Sequence, residues 1–160
     1  MITHPFPPLY DTHSRILILG SFPSVKSREQ MFFYGHPQNR FWRVLAAVFD
    51  CAVPETVEEK RVFLLSRRIA LWDVLASCEI EGSADSTIKN PIPNDLSPIL
   101  CAAPITRIYL NGRTAEKYFR RFTAPKIGHD AVCLPSTSPA NAAFSLNRLV
   151  EAWQIIREEV

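Results

Sequence analysis

The run Ile16-Leu17-Ile18-Leu19, closed by Gly20, constrains this 160-residue chain more than any other stretch. A sheet with one face in water asks for alternating apolar and polar residues. An unbroken apolar run instead fits a strand buried on both faces, as in a parallel sheet covered by helices. Residues 69–75, apolar except for Asp73, read the same way. So do Arg107-Ile108-Tyr109-Leu110, closed by Asn111-Gly112, and Ala131-Val132-Cys133-Leu134. Helical spacing appears between them at 41–49, 57–67, 95–102 with Asp95 as the cap, 114–122 and 142–158. Parallel neighbours need crossover connections, so this order predicts an α/β fold. The expected form is a three-layer α/β/α arrangement around a central four-stranded parallel sheet, in one domain over residues 1–160. Residues 76–94, with Ser77, Gly82, Ser83, Asp85, Ser86, Pro91 and Pro93, read as a long functional loop.

A hydrophobic share of 47% with 21% charged residues is enough for one full core. The net charge of +2 permits contact with nucleic acid without demanding it. Cys51, Cys78, Cys101 and Cys133 show no CxxC spacing, so no zinc or iron–sulfur site is indicated. Three of the four sit among apolar neighbours and read as small buried residues, and reduced thiols fit a cytoplasmic protein. The first ten residues lack the basic start of a secretory signal, and no apolar stretch approaches the ~20 residues of a membrane span. No pattern marks a dimer seam, so a monomer is expected.

In sheets of this kind ligands bind beyond the carboxyl ends of the strands. Each predicted strand ends in small or polar residues, at 20–24, 76–86, 111–112 and 135–141. These loops contain no phosphate-binding glycine fingerprint, no P-loop lysine and no nucleophile elbow. His4, His13, His36 and His129 are far apart, and each reads as structural or solvated rather than as a ligand. Hydroxyls, amides, aromatic rings and backbone N–H groups remain. Ser21, Ser24, Ser136 and Ser138 suit either phosphate contacts or local capping. Phe22, Tyr34 and Trp72 suit either a planar base or the core. The stretch Tyr34-Gly35-His36-Pro37-Gln38-Asn39-Arg40-Phe41-Trp42 is a loop feeding a helix, in which Asn39 can be a helix cap and Phe41 and Trp42 core anchors.

Three motifs carry a resemblance. Gly20-Ser21-Phe22-Pro23-Ser24, the stretch from Tyr34 to Trp42, and Leu134-Pro135-Ser136-Thr137-Ser138-Pro139 resemble, in order and spacing, the motifs of the uracil-DNA glycosylase superfamily. The middle stretch is similar to the His-Pro-x-Asn-Arg-Phe-Trp run of the mismatch-specific uracil and thymine-DNA glycosylases. The particular forms of the first and third most resemble the hypoxanthine-DNA (deoxyinosine) glycosylase branch. In most of the superfamily an aspartate or asparagine at the position of Phe22 activates the attacking water, which phenylalanine cannot do.

The resemblance implies a monofunctional DNA glycosylase acting on deaminated bases, hypoxanthine first, with DNA as its partner and no metal, iron–sulfur cluster or cofactor. Asn39 then becomes the catalytic residue that orients the water. Tyr34 stacks on the base, and donors around Ser21 and Phe22 stabilise it as it leaves. Asp73 and Asn111 are candidates for its edge. Ser24, Ser136, Ser138 and Asn141 belong to the DNA-gripping loops, and Pro139 and Ala140 press where the base left. Other readings stay open: a uracil or mixed-specificity glycosylase, an inactive nucleic-acid-binding module of this fold, or a flavodoxin-like cofactor binder.

Overall fold

The computed structural model describes residues 1–159. The chain begins with the short strand β1 (Ile2–Thr3), followed by β2 (Ile16–Gly20) and the helices α1 (Val25–Gln30), α2 (Phe41–Val48) and α3 (Val57–Ser66). It continues through β3 (Ile69–Asp73), β4 (Leu75–Glu79), β5 (Lys89–Pro93), α4 (Ser97–Ala102), β6 (Arg107–Asn111), α5 (Arg113–Tyr118), α6 (Ala124–Ile127), β7 (Val132–Leu134) and α7 (Leu146–Trp153).

Strands β3, β2, β6 and β7 lie side by side in that order, all parallel, with helices flanking them. This is the predicted α/β class. The residues of β2 from Ile16 to Leu19 are fully buried, each stabilising the fold by roughly 1.5–3 kcal/mol. The register pairs Gly20 with Asp73 and Leu19 with Leu110, so the carboxyl ends of the strands converge on one edge. The connection from β2 leads to β3 on one side, and β6 takes the place on its other side. The crevice of such a reversal therefore opens between Gly20 and Asn111. Leu149 and Trp153 of α7 and Ile156 just beyond it are completely buried, while Phe144 ahead of it is half-buried.

Several expectations are corrected. The reading of residues 76–94 as a loop fails because both its ends are strands, β4 and β5, which join β1 in a small antiparallel sheet of order β1-β4-β5. Pro91 and Pro93 disguise β5, yet an edge strand tolerates them. The predicted strand 69–75 breaks after Asp73, and the chain crosses there to the second sheet. Asn94 holds this crossing, since its Nδ2 donates to the carbonyls of both Asp73 and Leu75. The helix predicted at 114–122 widens into a π-helical turn at Phe119–Thr123, which precedes Pro125. A proline cannot donate to the ladder and crowds the preceding turn, so the wider turn accommodates it. The last helix starts at Leu146 rather than 142, where the Ser145 hydroxyl caps it. Of the cysteines only Cys78 is buried; Cys51 and Cys133 are intermediate and Cys101 is exposed. No helix among the described residues is long and apolar enough to cross a membrane.

Because Asn94 serves two carbonyls at the point where the sheets part, Asn94→Ala is expected to lower stability by about 1–3 kcal/mol in urea denaturation. An unchanged midpoint would show that the crossing holds without it.

Candidate active site

A cleft of about 1260 Å³ opens at the carboxyl edge of the parallel sheet. Every site residue singled out from the sequence lines it: Asn39, Tyr34, Ser21, Phe22 and Ser24 from the first half, Asp73 and Asn111 from the strand ends, and the stretch from Ser136 to Asn141. Trp72 does not; it packs in the core against His4, with ring centroids 4.3 Å apart.

Asn39 is held from two sides. Its Oδ1 accepts from the backbone N–H of Phe41 at 2.9 Å and from the Thr137 hydroxyl at 2.9 Å; Arg40, not Asn39, holds the cap position of α2, so the Asn39 bond is a turn contact just ahead of the helix. A backbone N–H can only donate, so the atom facing Phe41 must be the amide oxygen. The same reasoning orients Asn111, whose Oδ1 accepts from the Thr137 N–H at 3.0 Å while its Nδ2 donates to the Thr137 hydroxyl at 3.0 Å. Thr137 is completely buried and passes its own proton to Asn39. The chain Asn111, Thr137, Asn39 thus runs in one direction. It leaves the Asn39 Nδ2 group to face the cleft as a donor, with no free lone pair on its oxygen for a water proton.

Arg40 fastens the third motif over the second. Its guanidinium donates to the carbonyls of Ser138 at 2.9 Å, Asn141 at 3.1 Å and Phe144, and its backbone N–H donates to Thr137 at 3.0 Å. The Trp153 indole N–H adds a bond to the Pro135 carbonyl. Within this loop the Ser136 hydroxyl oxygen accepts from the Ser138 N–H, the Ser138 oxygen accepts from the Ala140 N–H, and the Asn141 amide donates to the Ser136 carbonyl. In these bonds both serines act as acceptors, which leaves their O–H protons able to donate. Pro139 and Ala140 are exposed at the tip.

The floor is made by the strand ends. Tyr34, at φ 52°, stacks one face of its ring on Phe41 with centroids 4.0 Å apart, so only the other face can meet a ligand. The Trp42 indole holds the Tyr34 carbonyl. Phe41 and Trp42 are buried, as anchors should be. The Tyr34 hydroxyl is buried without hydrogen-bond geometry to any partner. Burial, and after it the Asp73 charge, push its pKa well above the phenol range, against the pull of the nearby Asn111 amide, so the phenol stays neutral. Asp73, 4% exposed, receives the His4 Nε2 proton on Oδ2 at 2.7 Å.

Two of the serines left open to phosphate contact or capping use their hydroxyls within the protein. Ser24 caps α1 through the Ser27 N–H and donates to the Ser27 hydroxyl. Ser21 donates to both carboxylate oxygens of Asp85, at 3.0 and 3.1 Å. Asp85 comes from the turn between β4 and β5 and is exposed as a residue, but its carboxyl is tucked against the cleft rim. That local burial raises its pKa, the Ser21 and Thr114 hydroxyls lowering it in turn. Sequence reasoning missed Thr137, Arg40, His4 and Asp85. The first two stood inside recognised motifs, whereas His4 and Asp85 reach the cleft only through tertiary pairing. Among the described residues no group of three or more His, Cys, Asp or Glu side chains gathers as a metal site.

The chain matches the model of the uracil DNA glycosylase superfamily over residues 7–157. It is 38% identical over 158 residues to a protein of Methanosarcina acetivorans named hypoxanthine DNA glycosylase, covering 98% of both chains. It is 36% identical over 150 residues to a protein of that name from Methanosarcina barkeri, covering 92% of this chain and 93% of the other. A solution NMR structure from Methanosarcina acetivorans, provisionally described as a uracil DNA glycosylase, superposes with a TM-score of 0.83 at 37% identity, over 99% of this chain and 98% of that one. With a family match from end to end and the three motifs gathered around one cleft, this chain belongs to the uracil DNA glycosylase superfamily.

Proposed function

We propose that this chain is a monofunctional DNA glycosylase that hydrolyses the N-glycosidic bond of deaminated bases, chiefly hypoxanthine in deoxyinosine. The observation that carries the mechanism is the fixed orientation of Asn39. An amide whose oxygen already accepts two hydrogen bonds can hold a water by its oxygen but cannot take a proton from it. Bond cleavage leaves positive charge on the sugar and negative charge on the base, so a placed water suffices without a strong base. The water oxygen stays on the anomeric carbon and its proton ends on the departing base. No lysine lines the cleft among the described residues, which favours water over an amine as nucleophile.

The remaining roles follow from position. The free face of Tyr34 carries the flipped base, and Asp73 and Asn111 approach its edge from the floor. Backbone donors around Ser21 and Phe22 stabilise the leaving base. Ser136 and Ser138 point their hydroxyl protons at the flanking phosphate, while Ser24 acts by capping α1 and so shaping the rim. Pro139 and Ala140 press into the space the base leaves, and Asn141 keeps their loop in shape.

Single-stranded and duplex oligonucleotides carrying deoxyinosine, deoxyuridine or deoxyxanthosine, treated with alkali after incubation, are expected to break at deoxyinosine. Intact strands throughout would rule out a glycosylase, and breakage at deoxyuridine alone would make it a uracil enzyme. Asn39→Ala removes both the water donor and the turn contact ahead of α2. It is expected to slow single-turnover cleavage on the order of a hundredfold while lowering stability by only about 1 kcal/mol. A full rate in a folded variant would leave Asn39 with a structural role alone.

A further inference from the structure

We infer that Ser21 and Asp85 form a proton relay to the departing base, in which Ser21 is the donor that touches the base and Asp85 acts through it. This rests on the proposed glycosylase activity and adds the source of the proton that the base takes with it. Asp85 lies outside the three motifs, in the turn between β4 and β5, and that turn is fastened without its help. The Val25 N–H donates to the Ser83 hydroxyl at 2.9 Å, and the Arg28 guanidinium donates to the Gly82 carbonyl at 2.7 Å.

A hydroxyl has one proton. While Asp85 is ionised, Ser21 directs that proton at the two carboxylate oxygens, 3.0 and 3.1 Å away, and only lone pairs are left for the cleft. A carboxylic acid at Asp85 reverses the pair. Its O–H donates to the Ser21 oxygen, and the Ser21 proton is released toward the cleft that both residues line.

The surroundings of Asp85 favour this acid form. Asp73 lines the same cleft and accepts the His4 Nε2 proton. Asp85 instead meets the hydroxyls of Ser21 and Thr114, and no ion pair among the described residues includes it. Burial raises its pKa, the two hydroxyls lower it, and the Asp73 charge raises it again. Two carboxyls in such unlike surroundings are the pattern in which one serves as an acid. The other charged or titratable groups around the turn and the rim are Arg28 of α1, Cys78 of β4, and Arg113, Glu116 and Tyr118 of α5. Burial pushes the Cys78 thiol and the Tyr118 phenol upward, so neither titrates between about pH 5 and 8.

An ionised Asp85 would oppose the negative charge that gathers on the base, so the acid is the productive form. As the bond from the anomeric carbon to N9 breaks, its electron pair stays with the purine. N7 takes the Ser21 proton, Ser21 takes the Asp85 proton, and hypoxanthine leaves neutral. The water that joins the anomeric carbon loses one proton, which restores Asp85 by way of solvent. In the net count the base therefore carries off the water's proton.

Single-turnover cleavage of deoxyinosine at saturating enzyme is followed from about pH 5 to 8 with the wild type, Asp85→Asn, Ser21→Ala and the double variant. The wild-type rate should fall as pH rises through the Asp85 pKa. In Asp85→Asn the side chain still accepts from Ser21 but has no proton to transfer. This variant should be about a hundredfold slower at the acid end and lose the pH dependence, and Ser21→Ala should do the same. The double variant should be about as slow as either single one, because the two groups act in series. A purely structural role would lower the rate by one factor at every pH. That result, a wild-type rate independent of pH, or a slope that persists in Asp85→Asn would overturn the inference. Ser21→Ala decides the same question if Asp85→Asn does not fold. Failure of the wild type to cleave deoxyinosine at any pH is read separately and would overturn the glycosylase reading on which this one rests.

Discussion

Thr137 is the point on which the site depends. Its backbone N–H fixes the Asn111 amide, its hydroxyl takes a proton from that amide, and the same hydroxyl hands its own proton to Asn39. Three stretches far apart in sequence are locked by one buried residue: the end of β6, the loop before α2 and the loop after β7. Each group in the chain has its direction set by a donor that cannot reverse, which gives such a network more rigidity than its separate bonds would suggest. Arg40 reinforces the same junction from outside by holding the carbonyls of the last loop. Asn39 is positioned firmly but has lost its capacity to act as a base.

The rules that govern the rest of the core are relaxed at the cleft. Tyr34 sits at positive φ with a buried hydroxyl lacking a partner, and His4 keeps a buried Nδ1 with no hydrogen bond. Unsatisfied groups of this kind cost free energy and are uncommon in native interiors. Their concentration beside Asp73 and Gly20, at the point where two parallel strands end, is where a functional site is expected to break local consistency. The small antiparallel sheet has a share in this, because β1 leads into His4 and the β4–β5 turn brings Asp85 to Ser21.

The parallel sheet was legible because its signal is local: an apolar run such as Ile16 to Leu19 needs no partner to be recognised. The cleft followed from where those runs end. The second sheet was hidden, since β1 has two residues, β5 contains two prolines, and their pairing with β4 is decided across the fold. Helix α1 escaped for a related reason, because Val25–Gln30 buries only Ser27 and shows no apolar stripe. In α3 Val57 and Val62 are exposed, and Phe63 and Leu64 are the buried residues. The His4 contact with Asp73 joins residues 69 positions apart and leaves no trace in spacing. Ser24 and Ser21 show the limit of composition: a serine in a strand-end loop looks the same whether it meets a phosphate, caps a helix or bonds a carboxylate.

The directional chain through Thr137 is tested most directly by single-turnover cleavage of deoxyinosine with Thr137→Val and Thr137→Ser. Valine keeps the shape and the backbone bond to Asn111 but removes the hydroxyl that orients Asn39. The valine variant should fold and cleave at least about tenfold more slowly than wild type, with serine close to wild type. A valine variant that cleaves at the full rate would contradict the account, because Asn39 would then be placed without the chain that runs to it from Asn111.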